Sequence, residues 1–274
     1  MKDVAKEATK EIAKDLYQDV GKPVAQPTGE LAGLLPRAIK AALAPLEKWI
    51  LHKEYSVAET KKLLEDKLKD TPPELIQPPE PYIAVPAFQY ISYCMDNENL
   101  RNMYANLLAK SMNTVLKNGV HPGFVEIIKQ LTPDEAKILE YFSFEKTAPT
   151  ISLKFEKENH AGFRYFYKNF SNIGEYVRCE KPFDIPTYFD NLVRLGLLEY
   201  SEKVLSLSDK SKYQQLKRHP FIKNKIESAS IPDGYKVEIE EGFVRLTAYG
   251  KSFCGTCIDS DYLVTYEPLD KEEK

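Results

Sequence analysis

Cysteine is scarce in this chain: Cys94, Cys179, Cys254 and Cys257 are the only four in 274 residues. That is too few for a disulfide scaffold of this size, and it fits a reducing cytosol. An N-terminal apolar core is also missing. Met1-Lys2-Asp3-Val4-Ala5-Lys6-Glu7 places charges where a secretory signal needs a hydrophobic run, so a cytoplasmic protein is expected. There is no Gly-rich phosphate loop, no Gly-x-Ser-x-Gly elbow and no His-Glu-x-x-His helix. The sequence therefore offers no catalytic set and no cofactor, and an enzyme is the least supported class. The four histidines, His52, His121, His160 and His219, lack metal-ligand spacing, so no metal site is expected either. A net charge of −3 excludes a global basic field and leaves only local patches to attract nucleic acid.

What is present is ordinary for a soluble globular protein, with 43% hydrophobic and 29% charged residues. The length suits one large domain or two modest ones. Ala5, Ala8, Ile12, Leu16 and Val20 recur at helical spacing. A second amphipathic run, Leu31 to Leu51, carries a broad apolar stripe that includes Leu35, Leu43 and Trp49. Arg37, Lys40, Glu47, Lys48 and two prolines break it, whereas a bilayer crossing needs about twenty mainly apolar residues. It is read as a core helix, with binding at a membrane surface as the alternative. Ser56-Val57-Ala58-Glu59 is a capping-box pattern for a helix through about Leu68. The proline-rich stretch 71–86 should cross between helices as an extended strap.

From Leu100 to Phe142 two amphipathic helices bracket a His121-Pro122-Gly123 break. Asp96 or Asn97 can cap the first, whose stripe is Leu100, Met103, Tyr104, Leu107, Leu108, Met112 and Val115. Its water face is assigned Arg101, Asn102, Asn106 and Lys110. Thr132-Pro133-Asp134-Glu135 starts the second with a hydroxyl cap, a first-position proline and a carboxylate three residues on. After Phe144 the pattern changes to short aromatic and β-branched runs such as Thr150 to Phe155, which read as strands. A helix from Pro186 to Leu195 follows, capped by Asp184 and closed by Gly196. Tyr235 to Ile239, a Glu240-Glu241-Gly242 turn and Phe243 to Leu246 read as a hairpin, after which Thr247 can cap a last helix.

That order of helices, strand and hairpin is similar to a winged-helix module. The expected fold is α+β, mainly α: a helical N-terminal domain over 1–130 with its strap at 71–86, a winged-helix-like domain over 131–258, and an acidic tail over 259–274. Ala105-Asn106-Leu107-Leu108-Ala109, His121-Pro122, Phe124-Val125-Glu126-Ile127 and Leu131-Thr132-Pro133 together resemble segments of the bacterial Abi-alpha family of phage abortive-infection proteins. The resemblance continues through Asp190 to Glu199 and Leu246 to Phe253, and so covers most of the chain. It implies a role in defence and structural duties for Asn106, His121, Pro122, Pro133, Gly196 and Gly250. It carries over no catalytic residue.

Three features are weighed for chemistry. Cys254-Gly255-Thr256-Cys257 has the spacing of thiol redox pairs and of half a zinc site, but it falls late in a helix with no further ligands, so packing is expected. His121, before Pro122 at a helix start, is expected to fix the turn by hydrogen bonding rather than act as a base. Between Lys203 and Lys225, seven Lys and Arg face the single acid Asp209, with Tyr213, His219 and Phe221 among them. Lys210, Lys212, Lys217, Arg218, Lys223 and Lys225 are the candidate nucleic-acid contacts, and a solvated insertion is the plainer reading. The function expected is anti-phage defence through non-enzymatic binding to a protein partner, a phage component or a nucleic acid. The alternatives are a winged-helix DNA-binding regulator and a membrane-acting effector using residues 31–51. Nothing in the sequence sets an oligomeric state.

Overall fold

The computed structural model describes residues 54–201 and 206–258. The expected helix over 4–20, the run Leu31 to Leu51, Lys203 and the acidic stretch 259–274 lie outside them. The described residues form a mixed helical fold with a four-stranded antiparallel sheet. They divide into two compact units, residues 54–131 with Thr256–Ile258, and residues 132–255.

The first unit is built from α1 (Glu54–Leu68), α2 (Pro81–Ile91), α3 (Glu98–Ser111) and α4 (Gly123–Lys129). α1, α2 and α4 all pack on α3, so Met103 to Ala109 are buried without a break. Asn97 sets the start of α3, its Oδ1 accepting the Leu100 N–H at 3.0 Å. Asn106, assigned by periodicity to the water face, is buried, because its carboxamide donates to the Cys257 carbonyl at 3.0 Å. A buried amide requires such a partner.

α3 stops at Ser111, short of the expected stripe, and Val115 is exposed. The strap is the cause: Gln77 N–H donates to the Met112 carbonyl and Thr114 N–H to the Leu75 carbonyl, occupying the helix end. The strap is also shorter than the expected 71–86. Pro81 opens α2 at its first position and Pro86 lies inside that helix. A helix-interior proline costs about 3 kcal/mol. Full burial of Ile83, Phe88 and Ile91 on the same helix offsets it at about 1.5–3 kcal/mol per side chain. α1 is already helical at Glu54, ahead of the Ser56 pattern.

The second unit runs α5 (Pro133–Glu145), β1 (Thr147–Lys157), β2 (Phe163–Phe170), α6 (Ile173–Tyr176), α7 (Ile185–Arg194), β3 (Leu198–Tyr200), α8 (Ser211–Arg218), α9 (Pro220–Glu227), β4 (Tyr235–Leu246) and α10 (Ala248–Cys257). α10 passes its last two residues to the first unit. The sheet order is β2-β1-β4-β3. α5 begins with a full capping box, Thr132 Oγ1 accepting the Glu135 N–H and Glu135 Oε2 accepting the Thr132 N–H. Two residues after α7 the chain turns at Gly196, whose φ of +73° suits a residue without a Cβ. Asp184 stands at the start of α7 without a side-chain capping bond.

The expected hairpin over 235–246 is one continuous strand, β4, paired with β1 from Tyr235 to Arg245. Its turn residues are held in register by partners distant in sequence. Glu241 binds Lys210 and Lys217. Glu240 accepts from the Tyr165 hydroxyl and pairs with Lys154. Gly242 lies opposite Thr150, where a Cβ would approach Thr150 Oγ1 at 3.2 Å. The stretch read as a solvated insertion is the packed pair α8–α9, with Tyr213, Leu216 and Ile222 buried against Ile151, Leu153 and Phe170 of the sheet.

Candidate functional site

A proline and a histidine shape the junction of α8 and α9. A residue before proline is driven out of the helical region, and His219, at φ −59° and ψ 132°, ends α8 just before Pro220 opens α9. The imidazole then caps the new helix, Nδ1 accepting the Phe221 N–H at 3.2 Å. Nε2 lies 2.6 Å from Glu175 Oε2 on α6. With Nδ1 an acceptor, the hydrogen-bond network assigns the ring proton to Nε2, which donates to the carboxylate. Glu175 and His219 are 44 residues apart, and no local spacing in the sequence announced the pair.

Three phenyl rings run outward beside this histidine. Phe221 stacks on Phe170 with centroids 5.5 Å apart and planes at 17°, and on Phe183 at 4.6 Å and 5°. Phe170 is fully buried, whereas Phe183 is 39% exposed. The Tyr167 hydroxyl donates to the Phe183 carbonyl and so ties down the loop that carries the outer ring. Lys225 Nζ lies 5.4 Å from the centroids of both Tyr167 and Phe221, within reach of their negative faces. Glu175, Phe183, His219, Phe221, Asn224 and Lys225 line an open cleft of about 580 Å³.

The six basic candidates do not act as one group. Lys210 and Lys217 hold Glu241 at 2.7 and 2.8 Å, and their hydrogen bonds keep that carboxyl below the usual range. Lys225 is engaged by the rings. Lys212, Arg218 and Lys223 make no ion pair among the described residues, and Arg218 and Lys223 are exposed. Sequence reading identified the cations and the residues Tyr213, His219 and Phe221. It missed Phe170 of β2, Glu175 of α6 and Phe183 of the loop between α6 and α7. Tyr213 is a core residue, its hydroxyl donating to the Gly242 carbonyl at 2.8 Å.

The motif residues have structural surroundings. His121 is exposed, and its Nδ1 accepts the Gly123 N–H at 3.0 Å just before α4. Pro122 is the N-cap residue of α4 and Pro133 the first residue of α5. Gly250 is a close approach: a Cβ there would stand 2.0 Å from the Leu197 carbonyl oxygen. Cys254 and Cys257 are buried free thiols, and burial pushes Cys254 up to about 12. Among the described residues no group of three His, Cys, Asp or Glu is placed to hold a metal ion. No described helix is long and apolar enough to cross a membrane.

A helical protein with a four-stranded antiparallel sheet and an open aromatic and basic cleft is the class these observations define. The family model of Abortive infection alpha matches residues 52–257, and the chain belongs to that family. A comparison with curated proteins gives no match. Among solved structures, the chain is similar to a protein from the hydrocarbon-degrading marine bacterium Alcanivorax borkumensis SK2. The identity is 21% and the TM-score 0.36, over 48% of this chain and 90% of that one.

Proposed function

We propose that this chain serves phage defence of the abortive-infection kind without catalysing a reaction, acting in the cytoplasm by holding a nucleic acid against the α8–α9 surface. Membership of the family supports the defence role. One observation carries the binding mode: Lys212, Arg218 and Lys223 are left without ion pairs among the described residues on the same α8–α9 pair whose His219, Phe221, Asn224 and Lys225 line an open aromatic cleft, while Lys210 and Lys217 are spent on Glu241. Cations not committed to internal partners are the ones able to displace counterions from phosphates.

The second unit is winged-helix-like in this reading through its order of α5, α7, β3 and β4, but α7 is not its reading helix. Ile185, Tyr188, Phe189 and Leu192 of α7 are buried. Of its exposed groups, Arg194 is bound to Asn191, and Asp190 accepts from the Tyr200 hydroxyl. A base-reading helix needs free donors for base edges. Binding is therefore tolerant of sequence and sensitive to salt.

The test is titration of the full chain with fluorescent oligonucleotides over a range of salt. Three or four phosphate contacts give a log–log slope of about −2 to −3 on single strands. The combined variant Lys212→Glu, Arg218→Glu and Lys223→Glu is expected to lose binding and phage protection together while melting like the wild type. Loss of protection with nucleic-acid binding unchanged would shift the reading to a protein partner or phage component.

A further inference from the structure

We infer that Phe183, the outer ring of the Phe170–Phe221–Phe183 stack, is a stacking platform for an unpaired nucleobase whose phosphate is met by Lys225 of α9. This rests on the binding role proposed for α8–α9 and adds to it a class of ligand, a flat aromatic base bearing a phosphate.

The stack grades from a fully buried ring to one that is 39% exposed, and Phe221 covers one side of the outer ring. A phenylalanine kept only for the core would be expected inside; here the exposed ring is held flat by its neighbour and by the Tyr167 bond to its own carbonyl. Stacking on such a ring tolerates any base, because every base has a π-face. Duplex bases are stacked on one another and cannot use it, so the platform selects single strands or free nucleotides.

Charge around the ring is arranged to suit. Lys225, which lines the cleft and is exposed, is placed over Phe221. Glu175, the carboxylate lining the cleft, is occupied by His219 at 2.6 Å. Asn224 adds an amide to the lining, able to donate to or accept from a base edge. The cleft, at about 580 Å³, falls in the range of roughly 300–1,000 Å³ usual for small-ligand sites.

The experiment compares the wild type, Phe183→Ala and Phe183→Trp against a 12-nucleotide DNA strand, its RNA counterpart, the matching duplex and AMP. Single-strand affinity is expected to fall about ten-fold or more in Phe183→Ala, with duplex affinity changed less than two-fold. Phe183→Trp is expected to restore single-strand binding. Its indole emission, measured above the background of the native Trp49, is expected to be quenched by single strands and not by duplex.

Competition by AMP at comparable concentration would name a free nucleotide as the source of the base, and its failure to compete would name the strand. Phe183→Ala affects an exposed ring, and an unchanged melting temperature verifies its fold. If wild type and Phe183→Ala bind single strands equally, or if duplex affinity falls in parallel, the platform is refuted while the electrostatic reading stands. If the wild type binds neither strand, duplex nor nucleotide, both readings fall.

Discussion

The Tyr188 hydroxyl donates to Asp134 Oδ2 at 2.9 Å, joining α7 to the first turn of α5. The same carboxylate accepts the backbone N–H groups of Glu180 and Lys181 and lies 3.1 Å from Lys137 Nζ. The loop leading toward Phe183 is thus anchored at Glu180 and Lys181. Asp134→Ala leaves two backbone donors and a hydroxyl without their acceptor. A loss of about 3 kcal/mol is expected, read as a lower urea midpoint with an unchanged slope.

Acid should weaken the same anchor. Removal from water raises the Asp134 pKa, but the Glu180 N–H, the Tyr188 hydroxyl and Lys137 outweigh it and hold the carboxyl below the ordinary 3.8. A depressed folded value means that the stabilisation is complete above the unfolded pKa and is lost as pH falls through the folded one. Glu241, held down by hydrogen bonds from Lys210 and Lys217, behaves likewise. Urea midpoints measured from pH 6 to pH 2 should decline below about pH 4, and Asp134→Asn should start lower and decline less.

The thiols are expected to be inert. Burial pushes Cys94 to about 11, and Cys179 and Cys254 to about 12, so the reactive thiolate is scarce at neutral pH. An aromatic disulfide reagent should modify the native protein slowly and the urea-unfolded protein at once. The double variant Cys254→Ser and Cys257→Ser should keep phage protection. Stoichiometric zinc in the wild type that vanishes in this variant would contradict the packing role.

Gly250 and Gly196 should respond differently to alanine. At Gly250 the new methyl meets the Leu197 carbonyl at 2.0 Å, and backbone must move, so a loss of at least about 2 kcal/mol is expected. At Gly196 the nearest atom is 3.9 Å away and only the φ of +73° resists, which costs about 1 kcal/mol. Thermal melts of the two variants test the order.

His121→Gln tests an absence of acid–base chemistry. The side chain is exposed and its Nδ1 accepts one N–H from Gly123, a duty an amide oxygen can share. Protection in a phage challenge should persist. A folded variant with an unchanged melting temperature and no protection would reopen the enzyme reading.

Signals carried within a few residues were legible in the sequence. The Thr132–Glu135 box, the Asn97 cap, the Gly196 stop and the Thr247 cap of α10, whose Oγ1 accepts the Gly250 N–H at 2.8 Å, all close on near neighbours. What failed was decided at long range. Asn106 reads as a surface amide until Cys257 is brought to it, and Glu240-Glu241-Gly242 reads as a turn until Lys154, Lys210 and Lys217 supply counter-charges. The cleft combines both kinds of information. Its cations and Phe221 fall in one segment, whereas Phe183, Phe170 and Glu175 arrive through the β1–β2 hairpin and the α6 loop, which periodicity cannot align.

The pairing of β1 with β4 has a consequence for synthesis. Thr147 pairs with Arg245 and Lys157 with Tyr235, so the central ladder joins the earliest strand of the second unit to its latest. A ribosome releasing this chain exposes one edge of β1 before the strand that pairs with it exists. Non-local ladders of this kind are slow to form, and open strand edges invite association with other chains. A nascent chain halted before Tyr235 would hold β1 with that edge unpaired along its whole length.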